Sequence, residues 1–310
     1  MQEVLTKSAN DFRDLTFKMT NVELAKIYRK DTGVIRKWKK DLEILGYDVG
    51  TGFPQSTSEL CDQYIQINQD RVIIMGDAEI PDHDPEVFSM ITDLAQKFDI
   101  HHLIINGDLV AFDSLSNWMR STPYTSTFRK EMEITKETIN VFLRHFKTVS
   151  YLTGNHERRL PHKVDGQIAL GDFLLNTAGL TFSVYSYCYL TSGGKKILVC
   201  HPDNFSRIPL SVPLKIASVE HMNVVCAHTH RLSFGYDASS RYWVIDGGHC
   251  RDDKRTSYKA IKKNTYPNWN PGFVMIIDGF PHVIPKQDFN FWMSLRSNNL
   301  INYSQGIGCV

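Results

Sequence analysis

The sequence predicts an α/β protein with a small helical domain at its N-terminal end. Three observations predict it. Apolar, β-branched runs of strand length recur along the chain. Residues of metal-ligating type stand just past the ends of those runs. Ahead of them lies a separate pair of short helical stretches. In open α/β sheets, ligands bind in the crevice beyond the carboxyl ends of the strands. Asp, Asn and His side chains from far-apart positions would therefore converge there. The pattern points to a metal centre, and to a double one.

Residues 1–50 read as the helical domain. Thr20-Asn-Val-Glu23 is a capping-box pattern, in which two side chains satisfy the orphan N–H groups of a helix start. Leu24, Ala25, Ile27 and Tyr28 continue it, and Asp31-Thr-Gly33 breaks it. Val34, Ile35, Trp38, Leu42 and Leu45 recur at helical spacing in a second helix that Gly46 ends. Two short helices around a tight turn read as a helix-turn-helix, although Arg29 stands where its turn usually has Gly. Residues 20–46 hold seven Lys/Arg against four Asp/Glu, so the unit is locally basic. Arg36, Lys37, Lys39 and Lys40 lie on the second helix, where a recognition helix makes its DNA contacts. The alternative is a structural helical hairpin with a solvated basic face.

Residues 51–66 read as a linker, preceded by Gly50, opening on Thr51-Gly-Phe-Pro54 and rich in Ser and Thr. The main domain spans 67–285. Its strand-like runs are Arg71–Met75, Leu103–Ile105, Val149–Leu152, Lys196–Cys200, Asn223–Cys226 and Tyr242–Ile245. The first five lead into Gly76-Asp77-Ala78-Glu79, Gly107-Asp108, Gly154-Asn155-His156-Glu157, His201-Pro202 and His228-Thr229-His230. Phe128–Phe146 is an amphipathic helix with Met132, Ile139, Phe142, Leu143 and Phe146 as its apolar stripe. Ser114–Thr127 before it is irregular and aromatic, and suits a cover over the site's mouth. Residues 286–310 form a C-terminal tail without clear period.

The order of these motifs resembles the calcineurin-like metallophosphoesterases over about residues 70–285, with Gly154-Asn-His-Glu157 the most specific piece. Trp269-Asn-Pro-Gly-Phe273 and the layout of the C-terminal half resemble phage and prophage members. Three positions depart from the pattern. Glu79 replaces the usual His of the first motif, Ala111 an Asp of the second, and Ala227 the Gly of the last.

The resemblance implies a four-layer-type α/β sandwich that holds two divalent cations. It makes Asp108 the bridging carboxylate. It gives Asp77, Glu79 and His230 to the first metal, and Asn155, His201 and His228 to the second. Mixed oxygen and nitrogen ligation suits Mn²⁺ best, with Fe, Zn²⁺ or Mg²⁺ as alternatives. A carboxylate at position 79 hardens the first site towards Mn²⁺ or Mg²⁺; alternatively Glu79 misses the metal. His156, which follows Asn155, takes the general-acid role, with Asp108 and Asn155 as the other catalytic candidates, and imidazole titrates in the range that role needs. Arg158 or Arg159 is placed to pair a substrate phosphate, and Arg158 and His249 are the substrate-facing candidates. His83 reads as a surface residue or a support to the ligands. Asp113 is a candidate replacement for the missing Asp at 111.

Net charge is +1 and 22% of residues are charged, so overall charge indicates no partner. No apolar run approaches membrane-spanning length, and the first residues carry no signal-peptide pattern. Six Cys without C-x-x-C spacing suit a reducing compartment. The expected setting is cytoplasmic, the host's if the chain is phage-encoded, without a membrane partner. The expected function is phosphodiester hydrolysis of nucleic acid by a metal-bound hydroxide in one in-line step, the basic helix pair raising local DNA concentration. Two alternatives stand beside it. One is a small-nucleotide or phosphoprotein phosphatase whose helices serve assembly. The other is a DNA-binding protein with a decayed phosphoesterase domain.

Overall fold

The computed structural model describes residues 11–16, 19, 21–44, 64–116, 126–174, 177–255 and 269–295. Thr20, Leu45, Gly46, Cys61 and Cys309 lie outside the described residues. So do 45–63 of the helical domain and linker, 117–125 of the expected cover, and 296–310 of the tail. The chain divides into two units, Met1–Gln63 and Tyr64–Val310.

In the first unit, α1 (Asn21–Tyr28) and α2 (Thr32–Ile44) pack together. Asp31 Oδ1 accepts the Val34 N–H at 2.9 Å, satisfying a donor at the start of α2. Arg29 adopts φ 50° between the helices, the left-handed conformation for which Gly is the easier residue. Leu24, Ala25, Ile35 and Leu42 are buried with Phe12. Phe12, Tyr28 and Trp38 meet edge to face at 5.3–5.9 Å.

The second unit contains two six-stranded mixed sheets. Its strands are β1 (Ile65–Asn68), β2 (Arg71–Met75), β3 (His102–Asn106), β4 (Thr148–Leu152), β5 (Leu180–Ser183) and β6 (Tyr187–Ser192), then β7 (Lys195–Cys200), β8 (Asn223–Cys226), β9 (Leu232–Tyr236), β10 (Trp243–Gly247), β11 (Gly272–Ile277) and β12 (Phe280–Pro285). One sheet runs β12-β11-β2-β3-β4-β5 and the other β1-β6-β7-β8-β10-β9. Strands β2 to β5 are parallel, as are β7, β8 and β10.

Alternation along each strand explains the layers. Val72, Ile74, Ile104, Val274 and Ile276 of one sheet face Ile197, Val199, Val225 and Ile245 of the other in a single buried cluster. Ile73 and Met75 point the other way, onto α3 (Pro85–Lys97) and α4 (Phe128–His145), through Met90, Ile91, Leu94, Ile139 and Phe142. Leu198, Val224 and Val244 point onto α7 (Ser211–Glu220). Short helices α5 (Arg159–Lys163) and α6 (Leu170–Leu174) precede it. The layers are helix, sheet, sheet, helix. Both faces of each central strand are covered, which is why those strands are continuously apolar in sequence.

Local signals set the helix ends. Asp84 caps α3 by accepting the Glu86 N–H at 3.0 Å, with Pro85 in the first turn. Thr127 caps α4, accepting the Lys130 N–H at 3.3 Å. Several elements were not expected, among them one near each end of this unit. Strand β1 begins at Ile65, inside the expected linker, and pairs with β6. Helix α8 (Phe289–Ser294) comes after β12, and Trp292 packs against the core while Phe291 is exposed. So short a helix carries too little periodicity to read in advance. Among the described residues, no helix is long and apolar enough to cross a membrane.

Candidate metal centre

The parallel strands place their carboxyl ends together, and the loops there carry the candidate ligands. Five of those residues have left-handed backbones: Asp77 (φ 52°), Glu79 (φ 49°), Asp108 (φ 52°), His228 (φ 77°) and His230 (φ 59°). Non-glycine residues adopt this conformation at a cost, and it clusters at functional sites. Neighbouring groups hold it in place. The His228 N–H donates to Asp77 Oδ2 at 2.9 Å. The His156 N–H donates to Asp108 Oδ1 at 2.8 Å. Gly154 passes so close to Asp108 that an added Cβ would collide with its carboxylate.

His201 is fully buried and joins the two sheets' loops. Its Nδ1 lies 2.8 Å from the Asn106 carbonyl, an acceptor, so the ring proton belongs on Nδ1. Nε2 then turns a lone pair towards Asp108 Oδ2 at 3.2 Å and Asn155 Oδ1 at 3.0 Å. His228 stands beside it, ring centroids 5.2 Å apart. Ligand atoms of Asp108, His201 and His228 lie within 4.8 Å of one another. Across the site, His230 Nε2 faces Asp77 Oδ1 at 3.4 Å and Glu79 Oε1 at 3.2 Å. Asp77 Oδ1 and His230 Nδ1 are buried and make no hydrogen bond among the described residues.

These residues fit divalent cations. Lone pairs of an imidazole, a carboxylate and an amide oxygen converge with no donor between them, and a buried carboxylate oxygen is left over. Without a cation, protons must do its work. Burial opposes charge on His201, but Asp108 beside it pushes the imidazole up to about 10. Burial likewise opposes charge on His230, yet Asp77 and Glu79 push it up to about 9. Burial works against ionised Asp108, and the neighbouring His156 and His201 nonetheless hold it far below the usual carboxylate range. His228 is lowered by burial.

Glu79 carries a partner that the sequence did not reveal. Its Oε2 contacts Nη1 of buried Arg251, and Nη2 of the same guanidinium lies 3.0 Å from Asp82 Oδ2. Burial disfavours the Glu79 charge, but Arg251 and the nearby histidines hold it well below the usual range. His83 stacks on Phe88 at 4.9 Å and forms a β-bridge with Arg251.

Glu157 gains a definite role. It is buried and accepts the N–H groups of Asp108 (2.9 Å), Val110 (3.3 Å) and Gly154 (2.8 Å) and the Tyr151 hydroxyl (2.7 Å). It therefore ties the loop after β4 to the loop after β3. Asp246 similarly braces the His-Thr-His loop, accepting from Thr229 Oγ1 at 3.1 Å.

The positions around His156 differ from expectation. Arg159 Nη2 lies 3.0 Å from His156 Nε2, while its Nη1 bonds Asp113 Oδ1 at 2.8 Å and the Ala111 carbonyl at 2.7 Å. Asp113 thus reaches His156 through an arginine and not directly. Arg158 is partly exposed at the mouth and pairs with Asp203.

Two candidate contacts require correction. His249 is fully buried, its ring 5.4 Å from His230 and its Nε2 3.7 Å from Asp253, so it supports His230 and does not face substrate. Lys39 is 7% exposed, so it is not a surface contact for DNA. Arg36, Lys37 and Lys40 are exposed on α2. Lys39 shares the buried side of that helix with Ile35 and Leu42, and long aliphatic stems allow such burial. Trp269, of the Trp-Asn-Pro-Gly-Phe stretch, also reaches the centre: its ring lies 4.5 Å from that of His230.

No protein-family model matches the chain, and no curated protein does. Solved structures are similar in arrangement. Wild-type Vps29 of Entamoeba histolytica, solved as a complex with Zn²⁺, is 14% identical, over 69% of this chain and 97% of that one, with a TM-score of 0.37. Vacuolar protein sorting 29 of Cryptosporidium parvum is 17% identical over 70% and 96%, with a TM-score of 0.38. A predicted phosphoesterase of Streptococcus pneumoniae is 11% identical over 70% and 90%, with a TM-score of 0.35.

Proposed function

We propose that the chain is a metal-dependent phosphoester hydrolase of the calcineurin-like type, acting on phosphodiesters of nucleic acid. The observation that carries this reading is the convergence of Asp77, Asp108, Asn155, His201, His228 and His230 past the ends of parallel strands from two sheets. Asp77, Glu79 and His230 would hold one cation and Asn155, His201 and His228 the other, with Asp108 shared. Divalent cations, when bound, neutralise phosphoryl oxygens and lower the pKa of water.

The chain's own residues supply the rest. Asn106 fixes His201 by accepting from Nδ1, so Nε2 stays available to a ligand. Glu157 keeps Asp108 and Asn155 in register through its three N–H bonds. Arg159 donates to His156 Nε2, which puts the ring proton on Nδ1. His156 is the general acid for the leaving oxygen, with Arg159 positioning its ring. Arg158, at the mouth, offers a guanidinium to a second phosphate once it leaves Asp203.

A nucleic-acid substrate is supported by the exposed Arg36, Lys37 and Lys40 of the helical domain. A second reading, a binding protein without turnover, is favoured by one observation: Arg251 already holds Glu79. One assay separates them. The purified chain with Mn²⁺ is tested on a generic phosphodiester, a phosphomonoester, and single- and double-stranded DNA. Turnover of the diester and of DNA is expected. Turnover of monoester alone would remove the nucleic-acid reading, and no turnover on any substrate would leave the binding reading.

A further inference from the structure

Arg251 lies within the candidate centre, yet it is neither ligand nor general acid. It is buried, and three contacts fix it. Its backbone forms a bridge with His83, its N–H reaches His249 Nδ1 at 3.3 Å, and its guanidinium spans Glu79 and Asp82. One carboxylate oxygen of Glu79 is therefore committed to a permanent cation. The other, Oε1, faces His230. In the Asp108 half, the cationic guanidinium of Arg159 stands further out, with His156 between it and the carboxylate.

We infer that Arg251 makes the centre unequal. Its charge weakens cation binding at the Asp77–Glu79–His230 position and leaves the Asp108–Asn155–His201–His228 position as the tight one. This rests on the reading of the site as a metal centre. The physical cause is repulsion inside a buried region, where charges a few ångström apart interact far more strongly than in water. Arg251 also limits Glu79 to a single ligating oxygen. The arrangement gives the departure from His at position 79 a consequence. The carboxylate adds a negative charge, the guanidinium cancels it, and the first position gains nothing in affinity from the exchange.

The test is a calorimetric titration of the metal-free full chain with Mn²⁺, which needs no turnover. Wild type is expected to show two classes of site differing by at least about tenfold in affinity. His230→Ala should remove the weak class and His228→Ala the tight one. Arg251→Met should tighten the weak class and close the gap. Arg251→Lys, which keeps the charge, should leave the gap open. Equal classes in wild type would overturn the inference even if Arg251→Met failed to fold. An unchanged gap in folded Arg251→Met, or a closed gap in Arg251→Lys, would overturn it as well. Absence of any Mn²⁺ binding would instead overturn the metal centre itself, so the two failures read differently.

Discussion

Nε2 of His201 lies 3.2 Å from Oδ2 of Asp108, and the same ring's Nδ1 is already committed to the Asn106 carbonyl. The two residues come from different sheets. Their meeting point is where a neutral imidazole and a carboxylate both present lone pairs. Only a proton or a cation relieves that arrangement. Which of the two is there decides how the protein behaves.

The first prediction is a pH dependence of the metal-free chain. His201 at about 10 and His230 at about 9 both sit above the ordinary 6.5. A raised folded value stabilises fully below the unfolded value and is lost as pH climbs through the folded one. Urea unfolding should therefore show stability falling between about pH 6.5 and 10. Asp108, held low, contributes above its ordinary 3.8 and loses that contribution only on acidification. Mn²⁺ must displace the histidine protons, so loading should release protons and tighten as pH rises. Metal-free stability that stays level up to pH 10 would contradict the protonated pair.

A second prediction concerns Glu157→Gln. The carboxylate accepts from three N–H groups and a hydroxyl. An amide brings two donors to a place that needs only acceptors. Thermal unfolding should show a loss of about 1–3 kcal/mol. Mn²⁺ affinity should fall by about 10–100-fold, although Glu157 touches no cation. Full affinity in a folded variant would show that the loop holds itself.

His156 is read through its leaving group. His156→Ala should slow hydrolysis of an ordinary phosphodiester by about 10²–10⁴-fold. An activated nitrophenyl ester should suffer much less, because its leaving oxygen needs no proton. Arg159→Ala, which frees His156 Nε2, should show the same preference in weaker form. Equal losses on both esters would place His156 in organising the metal site.

DNA binding by the helical domain is the remaining expectation. If Arg36, Lys37 and Lys40 contact phosphates, log affinity should fall with log salt at a slope of about −0.9 per contact on duplex DNA. Changing all three to Ala should flatten the slope. Lys39→Met should leave it unchanged, since Lys39 is buried. Salt-independent binding, or a slope the triple variant keeps, would rule out these residues as phosphate contacts.

The strands and the ligand loops were legible in the sequence because both signals are local. A central strand covered on both faces is a continuous apolar run, as in Ile73–Ile74 and Val224–Val225. The motif loops come directly after those runs. Strand β1 was missed because Ile65–Asn68 alternates, and only Ile67 of it is buried. Arg251 was missed because it acts on Glu79 across 172 positions of sequence. No local pattern marks which cation a buried carboxylate will meet. His249 came after a strand in the expected way, but the side on which a loop residue lands depends on packing, here against His230 and Asp253. Lys39 was misplaced for a related reason: charge predicts exposure, and a long aliphatic stem overrides it.

A metal centre built on Asp108 underlies the hydrolytic reading of this chain. Crystals of the protein soaked in Mn²⁺ and measured for anomalous scattering would show it or refute it. Two peaks are expected past the ends of the parallel strands, one against Asn155, His201 and His228, the other against Asp77 and His230, with Asp108 between them. Peaks confined to surface carboxylates, with none between Asp108 and His201, would contradict it.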